Sequence, residues 1–213
     1  MSQSERQPFL AWPGWAHLKF AWLQTVLVSL WFSVVFVGAD WFTGHRALRV
    51  RVHLDAELHI PLIPSFTLVY MSIYALFLAA PFVLRTRREI TTLALTQALA
   101  ISIAGICFLL MPAQLAYTPP TDVQLGVWKG LFNFADRVNL DYNLVPSLHV
   151  ALSIICIELF AVHAGRGGKF LLRFWGFLIA ASTVFTHQHH LVDAVTSYLL
   201  ALAVVKFFAR RKH

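Results

Sequence analysis

Six runs of predominantly apolar residues fill most of this 213-residue chain, near 18–39, 65–84, 91–112, 147–164, 170–187 and 190–208, and they leave few folds open. At roughly 18–24 residues, each is long enough to cross a ~30 Å hydrocarbon core as a helix. In lipid only helices and closed barrels satisfy every backbone polar group, and unbroken apolar runs lack the period-two alternation of a barrel strand. An apolar share of 58% exceeds what a soluble globular domain carries. The expectation is all-α: one six-span membrane domain over residues 1–213, with short interfacial helices on the external side. No Gly/Ser linker, low-complexity block or fixed-period repeat divides it.

Drawing six spans sorts the positive charges onto two sides. Arg6, Lys19, Arg85, Arg87, Arg88, Arg166, Lys169, Arg173, Lys206, Arg210, Arg211 and Lys212 collect on one, Arg46, Arg49, Arg51, Lys129 and Arg137 on the other. Cytoplasmic loops are the Lys/Arg-rich ones, so both termini are expected in the cytoplasm, with the 38–64 and 113–146 connections facing outward. A bacterial inner membrane, with the site toward the periplasm or exterior, fits that arrangement. The first run is longer than a signal-peptide apolar region and is read as a retained span. Trp12, Trp15, Trp22 and Trp41 flank it like an aromatic belt.

Cys107 and Cys156 both fall inside predicted spans and give no disulfide framework. The formal charge of +7 does not imply nucleic acid, because the basic residues gather at span ends, where anionic headgroups meet them. Membrane lipids are the expected partners. Residues 44–64 are too polar to cross lipid and are expected to form an interfacial helix or hairpin cap. Val123, Val127, Leu131 and Phe134 recur at three- and four-residue steps and predict a helix over 122–136 laid on the bundle by that face. Lys129 and Arg137 would then be available to an anion.

Two short segments carry the chemistry. In Pro146-Ser147-Leu148-His149, the proline suits a first helical turn, whose free amides face an incoming anion. Ser147 adds a hydroxyl, and His149 can give or take a proton from the same turn. Forty residues on, His189 and Asp193 are one helical turn apart, so the carboxylate can hold one imidazole nitrogen and leave the other as a nucleophile. Ser182, Thr183, Thr186 and His187 lead into that pair. Glu158, about 13 Å below His149 along a helix, should find a partner such as His163, Arg173 or Gln97.

Pro146-Ser-Leu-His149 and Ser182…His189-x3-Asp193 resemble the second and third motifs of the type 2 phosphatidic acid phosphatase superfamily of membrane-integral lipid phosphatases and phosphotransferases. The resemblance covers roughly residues 117–200 by motif and the rest by span count. It implies that His189 is the nucleophile, Asp193 its orienter and His149 the general acid and base. Ser147 and Ser182 would contact phosphate, and Lys129 and Arg137 would stand for the family's first motif. That motif departs from the pattern: seven residues separate Lys129 from Arg137, and Val138 stands where the family has Pro. Thr183 replaces a common Arg. In these respects the chain is similar to the branch containing fungal inositol phosphorylceramide synthases.

The resemblance implies a metal-independent, cofactor-free hydrolysis of a lipid phosphate through a phosphohistidine. Transfer of a phosphoryl headgroup to an alcohol is the alternative with the same residues. A reading of another class makes His149, His187, His189 and His190 ligands of a metal or haem.

Overall fold

The computed structural model describes residues 12–139 and 142–210; Arg6, Arg211 and Lys212 of the charge pattern lie outside them. Among the described residues the regular structure is helical, and the one β feature is an isolated bridge between Val50 and Ala113. The helices are α1 (Trp15–Gly44), α2 (Phe66–Met71), α3 (Ile73–Val83), α4 (Arg87–Leu110), α5 (Asp122–Leu125), α6 (Lys129–Val138), α7 (Leu148–Ala161), α8 (Arg166–Phe185) and α9 (Leu191–Arg210). Five helical segments are long and apolar enough to cross a membrane: α1, the α2–α3 pair, α4, α8 and α9. The chain is an integral membrane protein on that basis.

The sixth apolar run, expected over 147–164, is a helix of 14 residues. It is the most enclosed element: Val150 through Ile157, with Leu148, Phe160 and Ala161, are all buried. Its neighbours are α3, α4, α8 and α9. An all-round apolar helix is what a bundle centre requires, and a hydrophobic run alone cannot distinguish that centre from a lipid-facing span. The expected 65–84 span is interrupted at Ser72, whose hydroxyl donates to Val69 O at 2.6 Å and accepts from Trp175 Nε1 at 3.0 Å.

Helix α1 is the opposite case. It packs along α4 and meets α3 at few points, leaving Trp22, Leu27, Leu30 and Val34 exposed. Gly105 permits the close α1–α4 approach, since a Cβ there would overlap Val35 Cγ1. Trp31 Nε1 also donates to Ser102 Oγ at 3.1 Å.

Charged groups mark the two ends of the bundle. At one end Thr86 and Glu89 form a reciprocal cap that starts α4, and Glu89 meets His163 beyond α7 at 3.0 Å. The Arg87 guanidinium lies over the Phe20 ring at 5.3 Å. Glu158 takes Arg173 as its partner, with two bonds of 2.9 and 2.8 Å joining α7 to α8. At the other end, residues 45–64 form an irregular strap with one short 3-10 turn, Asp55–His59.

The 122–136 segment is helical but does not pack by the expected face. Val123 and Val127 are 91% and 94% exposed and Phe134 is exposed, whereas Leu125, Phe132 and Ala135 are buried. Gly126, at φ +51°, and a 3-10 turn over Gly126–Trp128 separate α5 from α6, so one 3.6-residue phase cannot run through both.

Candidate functional site

Helix α7 begins at Leu148, with Ser147 as its cap: the buried Ser147 hydroxyl accepts the Val150 N–H at 3.4 Å. Pro146 therefore precedes the cap instead of occupying the first turn. His149 lies in that turn, and its Nε2–H donates to Tyr70 O at 2.7 Å, which leaves Nδ1 with the lone pair. The Tyr70 ring stacks on the imidazole at 3.7 Å between centroids, and the Tyr70 hydroxyl donates to Asn139 Oδ1 at 3.0 Å.

The segment between α8 and α9 is not helical, so His189 and Asp193 meet across a helix start and not along one turn of helix. Helix α8 ends at Phe185, His187 takes φ +56°, and the N–H groups of Gln188 and His189 both donate to Thr183 O, at 2.9 and 3.0 Å. Asp193 stands in the first turn of α9 and is fully buried. Its Oδ2 accepts from His189 Nδ1–H at 3.2 Å and from His190 N–H at 2.9 Å. One carboxylate oxygen thus caps the helix and orients the imidazole, leaving His189 Nε2 unprotonated. Asp193 Oδ1 is buried without a hydrogen-bond partner.

His149 and His189 line one cavity of about 240 Å³. Tyr70, Asn139, Asn143 and Gln188 line it beside them. Asn139 Nδ2 donates to Gln188 Oε1, Gln188 Nε2 to Asp136 Oδ1 at 3.2 Å, and Asn143 Nδ2 to Phe36 O at 2.6 Å. A primary amide carries two N–H donors, so each of the three keeps one beyond the bond described. Asn143 Oδ1 is buried and unpartnered. Sequence reasoning missed these amides and Tyr70. Only Gln188, which adjoins His189, and Asn143, just ahead of Pro146, carried a positional hint.

The expected phosphate contacts lie elsewhere. Lys129 is exposed and paired with Asp122 at 2.6 Å, and Arg137 is exposed in the last turn of α6. The Ser147 hydroxyl serves its cap, and the fully buried Ser182 hydroxyl donates to Ile179 O at 2.7 Å. Among the described residues that line the cavity there is no Lys, Arg, Asp or Glu.

A second buried polar cluster roofs the His187–His190 segment. Glu57, from the strap, accepts the N–H of Leu191 at 2.7 Å and of Leu54 at 2.6 Å, placing a carboxylate at the start of α9. Tyr117 stacks on His187 at 4.0 Å and on His190 at 4.8 Å, and His53 lies 5.1 Å from His190. Burial, with the Glu57 and Asp193 carboxylates nearby, pushes the Tyr117 phenol up to about 12, so it stays protonated and donates to Glu57 O at 3.4 Å. His187 Nε2–H donates to Ile60 O at 2.9 Å. His190 Nε2 accepts the Ala116 N–H at 3.2 Å, so its proton is on Nδ1, 3.6 Å from Glu57 Oε1. Among the described residues no group of three or more His, Cys, Asp and Glu is arranged to hold a metal ion.

Burial holds His190 and His187 below the ordinary histidine value of 6.5. The neighbouring carboxylates Asp193 and Glu57 oppose this at His190, while His53 and His189 add to it. Below pH 6.5 the unfolded chain takes up protons that the folded one refuses. The stability these rings contribute is thus complete above that pH and lost as pH falls. Thermal unfolding of the detergent-solubilised protein should show a flat Tm above neutrality and a decline below about pH 6.5. His190→Gln should flatten the decline, and an unchanged slope in that variant would count against the assignment.

Comparison with protein-family models, curated proteins and solved structures finds no match to the chain.

Proposed function

We propose that the chain is a membrane-integral, metal-independent lipid phosphate phosphatase that works through a phosphohistidine, a member of the type 2 phosphatidic acid phosphatase superfamily. One observation carries the reading: His149 and an Asp193-held His189, from separate segments, line the polar end of one cavity inside an apolar bundle. His189 Nε2 attacks phosphorus while His149, as the imidazolium, gives its Nδ1 proton to the departing alkoxide. Neutral His149 then takes a proton from water, which attacks the phosphohistidine and releases phosphate. The amides of Asn139, Asn143 and Gln188 offer N–H donors to the equatorial oxygens. Lys129 and Arg137 act on the substrate before it reaches the cavity, as headgroup-attracting cations at the mouth. Ser147 supports the site by capping α7, and Ser182 by its bond to the α8 backbone.

In the membrane, α7 counts as the sixth span, enclosed by α3, α4, α8 and α9. Both termini are cytoplasmic, and the cavity's polar end faces the periplasm or exterior of a bacterial inner membrane. Exposed Val123, Val127 and Phe134 suit α5, α6 and the turn between them to the lipid headgroup boundary.

Two features favour transfer to an alcohol as a second reading. The cavity lining carries no cation, which suits a singly charged phosphodiester better than a doubly charged monoester. The orphaned Asn143 Oδ1 offers a hydrogen-bond acceptor to a hydroxyl. Incubating the purified protein with a panel of labelled lipid phosphates and phosphodiesters, with and without alcohol acceptors, separates the two. Free phosphate without acceptor is the expected result. Acceptor-dependent label transfer with no free phosphate would replace hydrolysis by transfer.

A further inference from the structure

We infer that the cavity continues from the two histidines as a slot for a single hydrocarbon chain, whose far end at Ala21, Ala80, Pro81, Ile90 and Ala94 limits the chain length accepted. The inference rests on the lipid phosphate reading and adds which part of the lipid the protein measures. Three walls run away from His149 and His189. On α1 the lining residues step at helical spacing from Phe36 to Ala21, and on α4 from Ile101 to Ile90. At 1.5 Å per residue these walls are about 22 and about 16 Å long. On α2–α3 the wall runs from Tyr70 to Pro81. Half of a hydrocarbon core is ~15 Å, so the slot extends beyond the depth of one leaflet.

The walls suit an alkyl chain. Phe32, Phe77, Leu93 and Leu152 line the slot. The Thr25 hydroxyl is taken up by Ala21 O at 3.0 Å, and Gln97 Nε2 points to Cys156 Sγ at 3.7 Å. Ser29 is exposed at the slot edge. Entry is sideways: α1 leans on α4 and barely touches α3, so a chain can pass between α1 and α3 from the bilayer. The far end joins three small buried residues, Ala21, Ala80 and Ala94, to Pro81 and the buried Ile90. Enlarging the alanines shortens the slot without touching the histidines.

The test uses the full chain in lipid nanodiscs with alkyl phosphates bearing a photoreactive diazirine at the chain terminus, in a short and a long form. Cross-links are mapped by mass spectrometry in the wild-type protein and in His189→Ala, so that binding is read apart from turnover. The long probe should label α3 and α4 near Ala80, Pro81, Ile90 and Ala94, and the short probe should label nearer Phe77 and Leu152. In Ala94→Phe, and separately in Ala80→Leu on the opposite wall, long-probe labelling at the far end should fall about tenfold, the cost of excluding about two methylenes. Short-probe labelling should persist, which also reports that the variant is folded. Identical labelling sites for the two probes, or long-probe labelling indifferent to both substitutions, would overturn the slot. Labelling as expected with no turnover of any lipid phosphate would leave the slot standing and remove the phosphatase reading instead.

Discussion

His189→Ala should lose lipid phosphate turnover by at least about three orders of magnitude and should form no phosphoenzyme. The structure leaves Nε2 of this ring as the nitrogen free to attack, because Nδ1–H is committed to Asp193 Oδ2 at 3.2 Å. The wild-type protein, quenched during turnover of a labelled substrate, should carry label that is stable to base and released by acid, as a phosphoramidate is. The alanine variant should carry none while keeping its thermal stability to within a few degrees. Turnover at the wild-type rate in folded His189→Ala would end the phosphohistidine mechanism.

Asp193→Asn should lower kcat by about 10²- to 10⁴-fold with a smaller change in KM. An asparagine oxygen can still accept from His189 Nδ1–H and from His190 N–H, so the turn that starts α9 survives. What disappears is the negative charge that favours the cationic, phosphorylated imidazole. The new amide N–H also takes the place of Oδ1, which is buried without a partner. Circular dichroism and thermal unfolding would establish that the variant is folded, and kcat within a few-fold of wild type would reduce Asp193 to a helix cap. The comparison with Asp193→Ala is informative, since alanine removes the cap as well and should cost stability in addition to rate.

The sequence made the helical spans legible because lipid imposes a single rule over about twenty residues, and chain patterning displays that rule directly. The pairing of His189 with Asp193 was legible for a related reason: both lie within five residues, and local geometry keeps them together whether or not the segment is helical. Its exact form was not, because the left-handed residue at His187 ends α8 before the pair begins. The packing face of 122–136 was misread at Gly126, where a break in helical phase carries no hydrophobic signature. Glu57 and Tyr117 were illegible for a deeper reason. They reach His190 and Leu191 across 73 to 134 positions of sequence, by contacts that no spacing rule encodes. Lys129 is a different case: its charge in a loop suggested a phosphate contact, and the structure pairs it with Asp122 nearby.

The brevity of α7 has a consequence for where any reaction takes place. Its last turn is level with the beginning of α4, as the His163–Glu89 pair shows. At 14 residues it rises about 21 Å, whereas α4, at 24 residues, climbs about 36 Å. The imidazole at position 149 is therefore sunk well beneath the far end of α4, and Leu115, in the segment after α4, lines the cavity beside it. A headgroup that meets that ring has left its hydration shell behind, and every partial charge around it acts at the strength of a poorly polarisable medium.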